Sequence, residues 1–238
     1  MKSSKGLLST LFQGFNFNYM SGLFSSKIDW FHCFSCSFMA VVLCSVVMMN
    51  VSLLISDLYY KNHMSLYQPA EFFCSLMPSM ILGILMMPSL GLLYESSFMN
   101  YWGGLSIGVM GHQWYWSYEY GDHGEKVSFD SYMLPSDEMS SGSVHLLDVD
   151  NRSVVPVGMN VSFLIGSEDV IHSWSLPSMS VKVDALSGVL SQVVCNFPLV
   201  GVYYGQCSEI CGAFHSFMPI VVESCLSENF INWVVGMS

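Results

Sequence analysis

Two long runs of apolar residues dominate the first half of the chain. Phe38–Ile55 holds eighteen residues with Asn50 as its one strongly polar member, and Phe72–Tyr94 holds twenty-three without a charge. A bilayer core of about 30 Å is crossed by about 20 apolar residues in helical form. Lipid offers no hydrogen bonds to a backbone, so such runs become helices rather than loops. Two transmembrane helices are therefore predicted, with Pro78 and Pro88 inside the second. The short linker Asp57–Glu71 makes them an antiparallel hairpin, so both outer ends face the side that carries the rest of the chain. Lys27 and Lys61 flank opposite ends and leave the orientation unsettled by charge.

From Tyr101 the pattern changes period. Alternations such as Val161, Phe163 and Ile165 predict half-buried strands. Turn residues recur at Asp148–Asn151, Pro156–Gly158, Ser187–Gly188 and Pro198–Gly201, and no helical period returns before about Ser227. The expected fold class is thus a membrane-anchored all-β protein: a two-helix hairpin followed by a β-barrel or sandwich. The expected divisions are an N-terminal segment at 1–37, the hairpin at 38–95 and the β domain at 101–238. Residues 6–24 alternate Gly, Ser, Asn and Phe and read as an irregular or interfacial segment. They have neither the arginines of a transit peptide nor the compact apolar core of a secretory signal.

Composition sharpens this division. Charged residues make up 11% of the 238, against about 25% in ordinary soluble domains. The formal charge of −11 falls wholly on residues 111–238, where Lys126, Arg152 and Lys182 face fourteen carboxylates. Such a surface repels nucleic acid and attracts a basic partner at long range.

The chemistry is concentrated in Cys207-Ser208-Glu209-Ile210-Cys211-Gly212-Ala213-Phe214-His215-Ser216-Phe217-Met218. Two thiols, an imidazole and a thioether on one loop suit copper. One Cys with two His and a weak axial Met would make a mononuclear electron-transfer site. A second Cys four residues away allows two thiolates to bridge a pair of ions instead. The loop needs another imidazole, for which His172 in Ser167–Trp174 is the best candidate, ahead of His112, His123 and His145. The pair Cys33 and Cys36 abuts an apolar helix with only His32 nearby and reads as packing. The aromatic run Trp114–Tyr120, just after the hairpin, reads either as a membrane-edge belt or as a surface through which electrons arrive.

Three runs together, Met110–Tyr120, Ser167–Trp174 and Tyr203–Pro219, resemble subunit II of the mitochondrial haem–copper cytochrome c oxidases. YYGQCSEICG at 203–212 followed by HSFMP at 215–219 is its most specific part. The likeness runs from about Trp30 to the end. It implies a cupredoxin-like domain with a binuclear copper centre, CuA, that takes electrons from cytochrome c. It also implies a multi-pass subunit of the mitochondrial inner membrane, with the C-terminal domain in the intermembrane space. By motif, Cys207 and Cys211 match the bridging thiolates, His172 and His215 the imidazole ligands, and Met218 the thioether. Glu209 matches the residue whose carbonyl binds copper and whose side chain holds a magnesium ion shared with subunit I. Trp114 matches the tryptophan that first receives electrons, and Glu168 and Asp169 the acids that meet cytochrome c. Glu71 matches the carboxylate at the mouth of a proton path into subunit I. The implied partners are cytochrome c, subunit I with the other oxidase subunits, and membrane lipid.

The chain departs from the family pattern at Val183-Asp184-Ala185-Leu186-Ser187-Gly188-Val189, where relatives often read T-D-A-x-P-G-R, and at Val200-Gly201, where Pro-Gly is usual. Other uses of a C-x₃-C pair fit less well. A thioredoxin-like copper chaperone would have one apolar span and alternate helix with strand, and a copper-free quinol oxidase subunit would lack these ligands.

Overall fold

A computed structural model describes residues 21–55, 68–98, 104–121 and 127–237. The segment 6–20, most of the 57–71 linker and His123 lie outside the described residues. Two helices come first, α1 (Leu23–Ile55) and α2 (Gln68–Phe98). At 1.5 Å per residue each is about 45–50 Å long, more than a bilayer core requires. Both are long and apolar enough to cross a membrane, and their apolar side chains are exposed, Leu43, Leu54, Leu82 and Met87 among them. Polar side chains on these helices return hydrogen bonds to the carbonyl four residues earlier, as Ser45 does to Val41, Asn50 to Val46 and Ser79 to Ser75. This local closure is how a polar group is accommodated where no water is present. The two helices are joined by an ion pair between Lys27 and Glu95. α2 continues through Pro78 and Pro88.

α1 starts at Leu23, well before the apolar run at Phe38. Lys27, Asp29 and His32 break the hydropathy pattern there. They do not break the helix, because none of them opposes helical backbone geometry.

Among the described residues, the second compact unit holds ten strands and a final helix. Strands β1 (Leu105–His112), β2 (Tyr115–Tyr120), β3 (Val127–Ser131), β5 (Asn160–Ser167) and β8 (Ser191–Asn196) form one sheet in the order β3-β2-β1-β5-β8. Strands β4 (Ser153–Pro156), β9 (Gly201–Gln206) and β10 (Pro219–Cys225) form a second, in the order β4-β10-β9. Strands β6 (His172–Leu176) and β7 (Val181–Ala185) pair as a third. The pairs β1–β5 and β4–β10 are parallel, and the other pairings are antiparallel.

β1 alternates strictly between buried and half-buried positions, the signature of a strand with one face on the core. The inward set Ile107, Val109, Trp116, Tyr118, Phe163 and Ile165 meets Trp174, Leu176, Ile220 and Val222 from the other sheets. Fully burying each aliphatic or aromatic side chain contributes about 1.5–3 kcal/mol, so this cluster holds the layers together. Helix α3 (Ser227–Met237) closes one end by setting Phe230 and Trp233 against Tyr120 and Phe129. Arg152 bonds to the buried carboxylate of Asp148 and to Glu223, tying the 132–152 excursion to β10.

One close approach decides where the chemistry sits. A Cβ on Gly205 of β9 would overlap the carbonyl oxygen of Ser175 in β6, so only glycine lets these strands meet there. The Ser175 hydroxyl donates to the Gln206 carbonyl, and the Ser208 amide donates to the Ser173 carbonyl. Together these bring the start of β6 beside the end of β9.

Candidate metal centre

The seam between β6 and β9 places His172, the first residue of β6, against Cys207, the first residue beyond β9. The Cys207 sulfur is 3.9 Å from His172 Nδ1, 3.9 Å from the Cys211 sulfur and 3.4 Å from the Glu209 carbonyl oxygen. The Cys211 sulfur is 3.4 Å from His215 Nδ1 and 3.5 Å from the Met218 sulfur. His215 opens a single 3₁₀ turn, His215–Phe217, which folds the loop back so that Met218 precedes β10. The Cys207 amide donates to the Met218 carbonyl and closes the loop. His172, Cys207, Cys211 and Met218 are buried, and His215 is half-buried. Among the described residues, His172, Cys207 and Cys211 are the one group of His, Cys and acid side chains close enough to share an ion.

The donors divide around the two sulfurs. Cys207 has an imidazole and a carbonyl oxygen beside it, while Cys211 has an imidazole and a thioether. Metal–thiolate bonds are about 2.3 Å long, more than half the 3.9 Å sulfur separation. One ion can therefore touch both sulfurs, and each sulfur has its own imidazole to complete a separate site. Soft sulfur with imidazole is a copper-selecting donor set, so the residues fit a binuclear copper centre.

Surrounding groups prepare these donors. His172 Nε2 donates to Asp169 Oδ1 at 2.8 Å, which fixes the proton on Nε2 and leaves the Nδ1 lone pair facing Cys207. Burial alone would lift the Asp169 pKa, but bonds from His172, the Gln113 amide and the Val170 amide outweigh it and hold the carboxylate below its usual range. Burial likewise opposes the His172 charge, yet Cys207 and Asp169 raise its pKa. Burial opposes Cys207 ionisation too, and the His172 partner overcomes it, so its pKa falls. Burial and the neighbouring Cys207 charge push Cys211 up. A bound cation would favour loss of the proton from both thiols.

The other residues singled out by sequence lie as follows. Trp114, half-buried, sets its ring edge-on to Phe214 with centroids 4.9 Å apart. Glu168 is exposed, with its carboxylate 3.8 Å from His112. Asp169 is committed to His172 and Gln113, so it does not stand free on the surface. The Glu209 side chain is half-buried, and Glu71 stands exposed in the first turn of α2. His112 stacks on Tyr115 and meets Ser117 rather than a thiol, and His145 lies in an exposed turn. Cys36 contacts His32 one turn earlier along α1.

Two further residues shape the site without supplying a ligand. A Cβ on Gly111 would lie 2.9 Å from His172 Cδ2 and 3.1 Å from Trp116, so this glycine makes room for the buried imidazole. Gln113 donates from its side chain to the Cys211 carbonyl at 2.7 Å. Its place between His112 and Trp114 in an aromatic run was the available signal, and that run drew attention only to the rings.

Residues 105–225 match the family model described as cytochrome c oxidase subunit II, periplasmic domain. The chain belongs to the cytochrome c oxidase subunit II family. It is 52% identical over 230 residues to cytochrome c oxidase subunit 2 of Ascaris suum, covering 97% of this chain and 99% of that one. With the Caenorhabditis elegans protein of the same name it shares 49% over 229 residues, or 96% and 99% of the two chains. These matches reach into the segment before Trp30, where motif resemblance was not found. The crystal structure of the periplasmic domain of subunit II of cytochrome oxidase from Bradyrhizobium japonicum is similar, with a TM-score of 0.54 and 40% identity. That match covers 58% of this chain and 96% of that one. As a subunit II, the chain is part of an oxidoreductase, cytochrome c oxidase. Its two apolar helices and its β domain make it a membrane-anchored subunit with a cupredoxin-like domain outside the bilayer.

Proposed function

We propose that this subunit is the electron input of the oxidase. It accepts single electrons from reduced cytochrome c and passes them to the haem of subunit I, where oxygen reduction is coupled to proton pumping. The observation that carries the proposal is the division of the donors around Cys207 and Cys211, whose sulfurs lie 3.9 Å apart. A copper pair, CuA, bound there would supply a one-electron couple with the odd electron shared by both metals.

In this reading the Cys207 and Cys211 thiolates would hold the copper pair between them, with His172 and the Glu209 carbonyl as donors beside Cys207 and His215 and Met218 as donors beside Cys211. The chain's own part is to hold these donors still. Asp169 fixes the His172 tautomer, and the Gly205 seam fixes the loop against β6. Burial of His172, Cys207, Cys211 and Met218 keeps water away from the centre. A rigid, dry ligand set changes little when its charge changes by one electron, which favours fast transfer.

Trp114 is the surface aromatic that first receives the electron, supported by its half-exposure and its packing on the copper loop through Phe214. Glu168, exposed just after β5 with its carboxylate 3.8 Å from His112, and the wider acidic surface steer a basic partner. We further assign the Glu209 carboxylate to a magnesium ion shared with subunit I. A hard oxygen donor of this kind suits that ion. Glu71 is assigned to the mouth of a proton path. The working divisions are 1–37, the hairpin 38–95 and the CuA domain 101–238, in the mitochondrial inner membrane with the domain in the intermembrane space.

Stopped-flow reduction of the copper-loaded subunit by reduced cytochrome c tests this. The expected result is rapid one-electron reduction whose second-order rate falls as salt rises, because surface charges are screened. No reduction by cytochrome c, with copper in place, would contradict it.

A further inference from the structure

Gln113 precedes the proposed electron-accepting Trp114 and reaches the metal centre in two directions. Its side-chain Nε2 donates to the Cys211 carbonyl at 2.7 Å, across 98 positions of sequence. Its backbone amide donates to Asp169 Oδ2 at 2.7 Å, and the other oxygen of that carboxylate takes the His172 Nε2 proton. One residue thus touches both halves of the ligand set, through Cys211 on one side and through the partner of His172 on the other.

The Trp114 ring packs at the edge of the hydrophobic core, on the side that meets the copper loop. Its indole N–H is buried and has no hydrogen-bond partner among the described residues. On the loop side its neighbours include Phe214 and Gly212, the residue directly after Cys211. Gly212 has φ +129, a conformation that side chains rarely adopt. A Cβ there would lie 3.1 Å from Trp114 Cζ2 and 3.2 Å from Gln113 Nε2. The bare glycine lets the indole and the Gln113 amide lie directly on the copper loop.

We propose that Gln113 is a positioning residue for electron transfer. Its amide hydrogen bond to Cys211 seats Trp114 on the copper loop and closes a bonded route from the tryptophan to a ligand residue. Tunnelling decays more steeply across empty space than along covalent and hydrogen bonds. The route from Trp114 runs back one peptide to Gln113, along its side chain and over one hydrogen bond to Cys211. One electron leaves ferrous cytochrome c and one arrives at the copper pair, with no bond made or broken. This inference rests on the assignment of Trp114 above.

The test uses the assembled oxidase carrying Gln113→Met, which keeps the length of the side chain and removes its donor, beside Trp114→Phe. Transfer within the complex is timed after light-triggered reduction of bound cytochrome c, and copper content and electron spin resonance are recorded on the same samples. Gln113→Met is expected to slow the step by a factor on the order of 10, in the range typical for groups that support a ligand, with spectrum and copper content unchanged. In the metal-free full chain carrying fluorotryptophan, the Trp114 fluorine resonance should shift in this variant. An unchanged rate in Gln113→Met while Trp114→Phe is slow would overturn the inference and leave Trp114 standing. Loss of the copper spectrum together with the rate would overturn it too, since Gln113 would then serve the centre's fold. An unchanged fluorine resonance would remove the seating role. An unchanged rate in Trp114→Phe would remove both readings.

Discussion

At the residue scale, the ligand loop was readable because its donors are neighbours in sequence. Cys207, Cys211, His215 and Met218 occupy one stretch of twelve residues, and no fold is needed to bring them together. His172 needed the motif around it, since its distance from the loop in sequence conceals the seam at Gly205. Gly111 and Gln113 were hidden for a physical reason: one acts by lacking a side chain, the other through a hydrogen bond formed only after folding. Asp169 was expected among the partner-facing acids, and its bonds to His172 and Gln113 give it a second task. Gly111→Ala is therefore expected to displace the His172 ring, since the added carbon would lie 2.9 Å from it. Copper affinity should fall by about 10–100-fold, the range for disturbed ligand support, as measured by competition with a chelator. Unchanged affinity would mean that the ring moves aside without cost.

At the element scale, apolar runs and alternation located helices and strands, while pairing across the chain left no local trace. Nothing in the sequence of β1 announces β5 as its parallel neighbour, nor β4 as the neighbour of β10. α1 begins at Leu23, before the apolar run at Phe38, because hydropathy measures contact with lipid, whereas helix formation depends on the backbone. α3 matters through its buried face. Phe230→Ala should cost the domain about 3–5 kcal/mol, the usual range for emptying a buried aromatic site, read from urea unfolding of residues 104–238. That segment contains the whole hydrophobic cluster. A loss below about 1 kcal/mol, near the typical effect of any point mutation, would show that α3 is dispensable. β2 supplies a pH prediction. Burial raises the pKa of Tyr118 and Tyr120 well above the usual phenol value, with hydrogen bonds from Trp174 and at Ser153 only partly opposing it. Both stay neutral in the fold, while in the unfolded chain they ionise near pH 10. Their contribution is complete below that pH and is lost as pH rises above it. Tyrosinate absorbance should therefore show two phenols that titrate only when the domain unfolds, and free titration of all tyrosines in the folded domain would refute their burial.

At the scale of the whole molecule, the sequence already separates a neutral anchor from an acidic domain. The structure refines how that charge is to be tested. Reversing Asp169 would disturb His172, so Glu168, which is exposed, is the cleaner probe. Glu168→Lys should weaken association with cytochrome c at low salt, with the difference shrinking as salt rises and the Debye length falls to about 10 Å at 0.1 M. A defect that persists at high salt would point to a direct contact rather than steering.

The central claim is that two thiolates on one loop hold a pair of copper ions. The most direct measurement is copper content with electron spin resonance on residues 104–238 refolded with copper. Two coppers per domain and one unpaired electron split equally by both nuclei are expected, a pattern lost in Cys207→Ser and in Cys211→Ser. A single copper whose electron is split by one nucleus would contradict it.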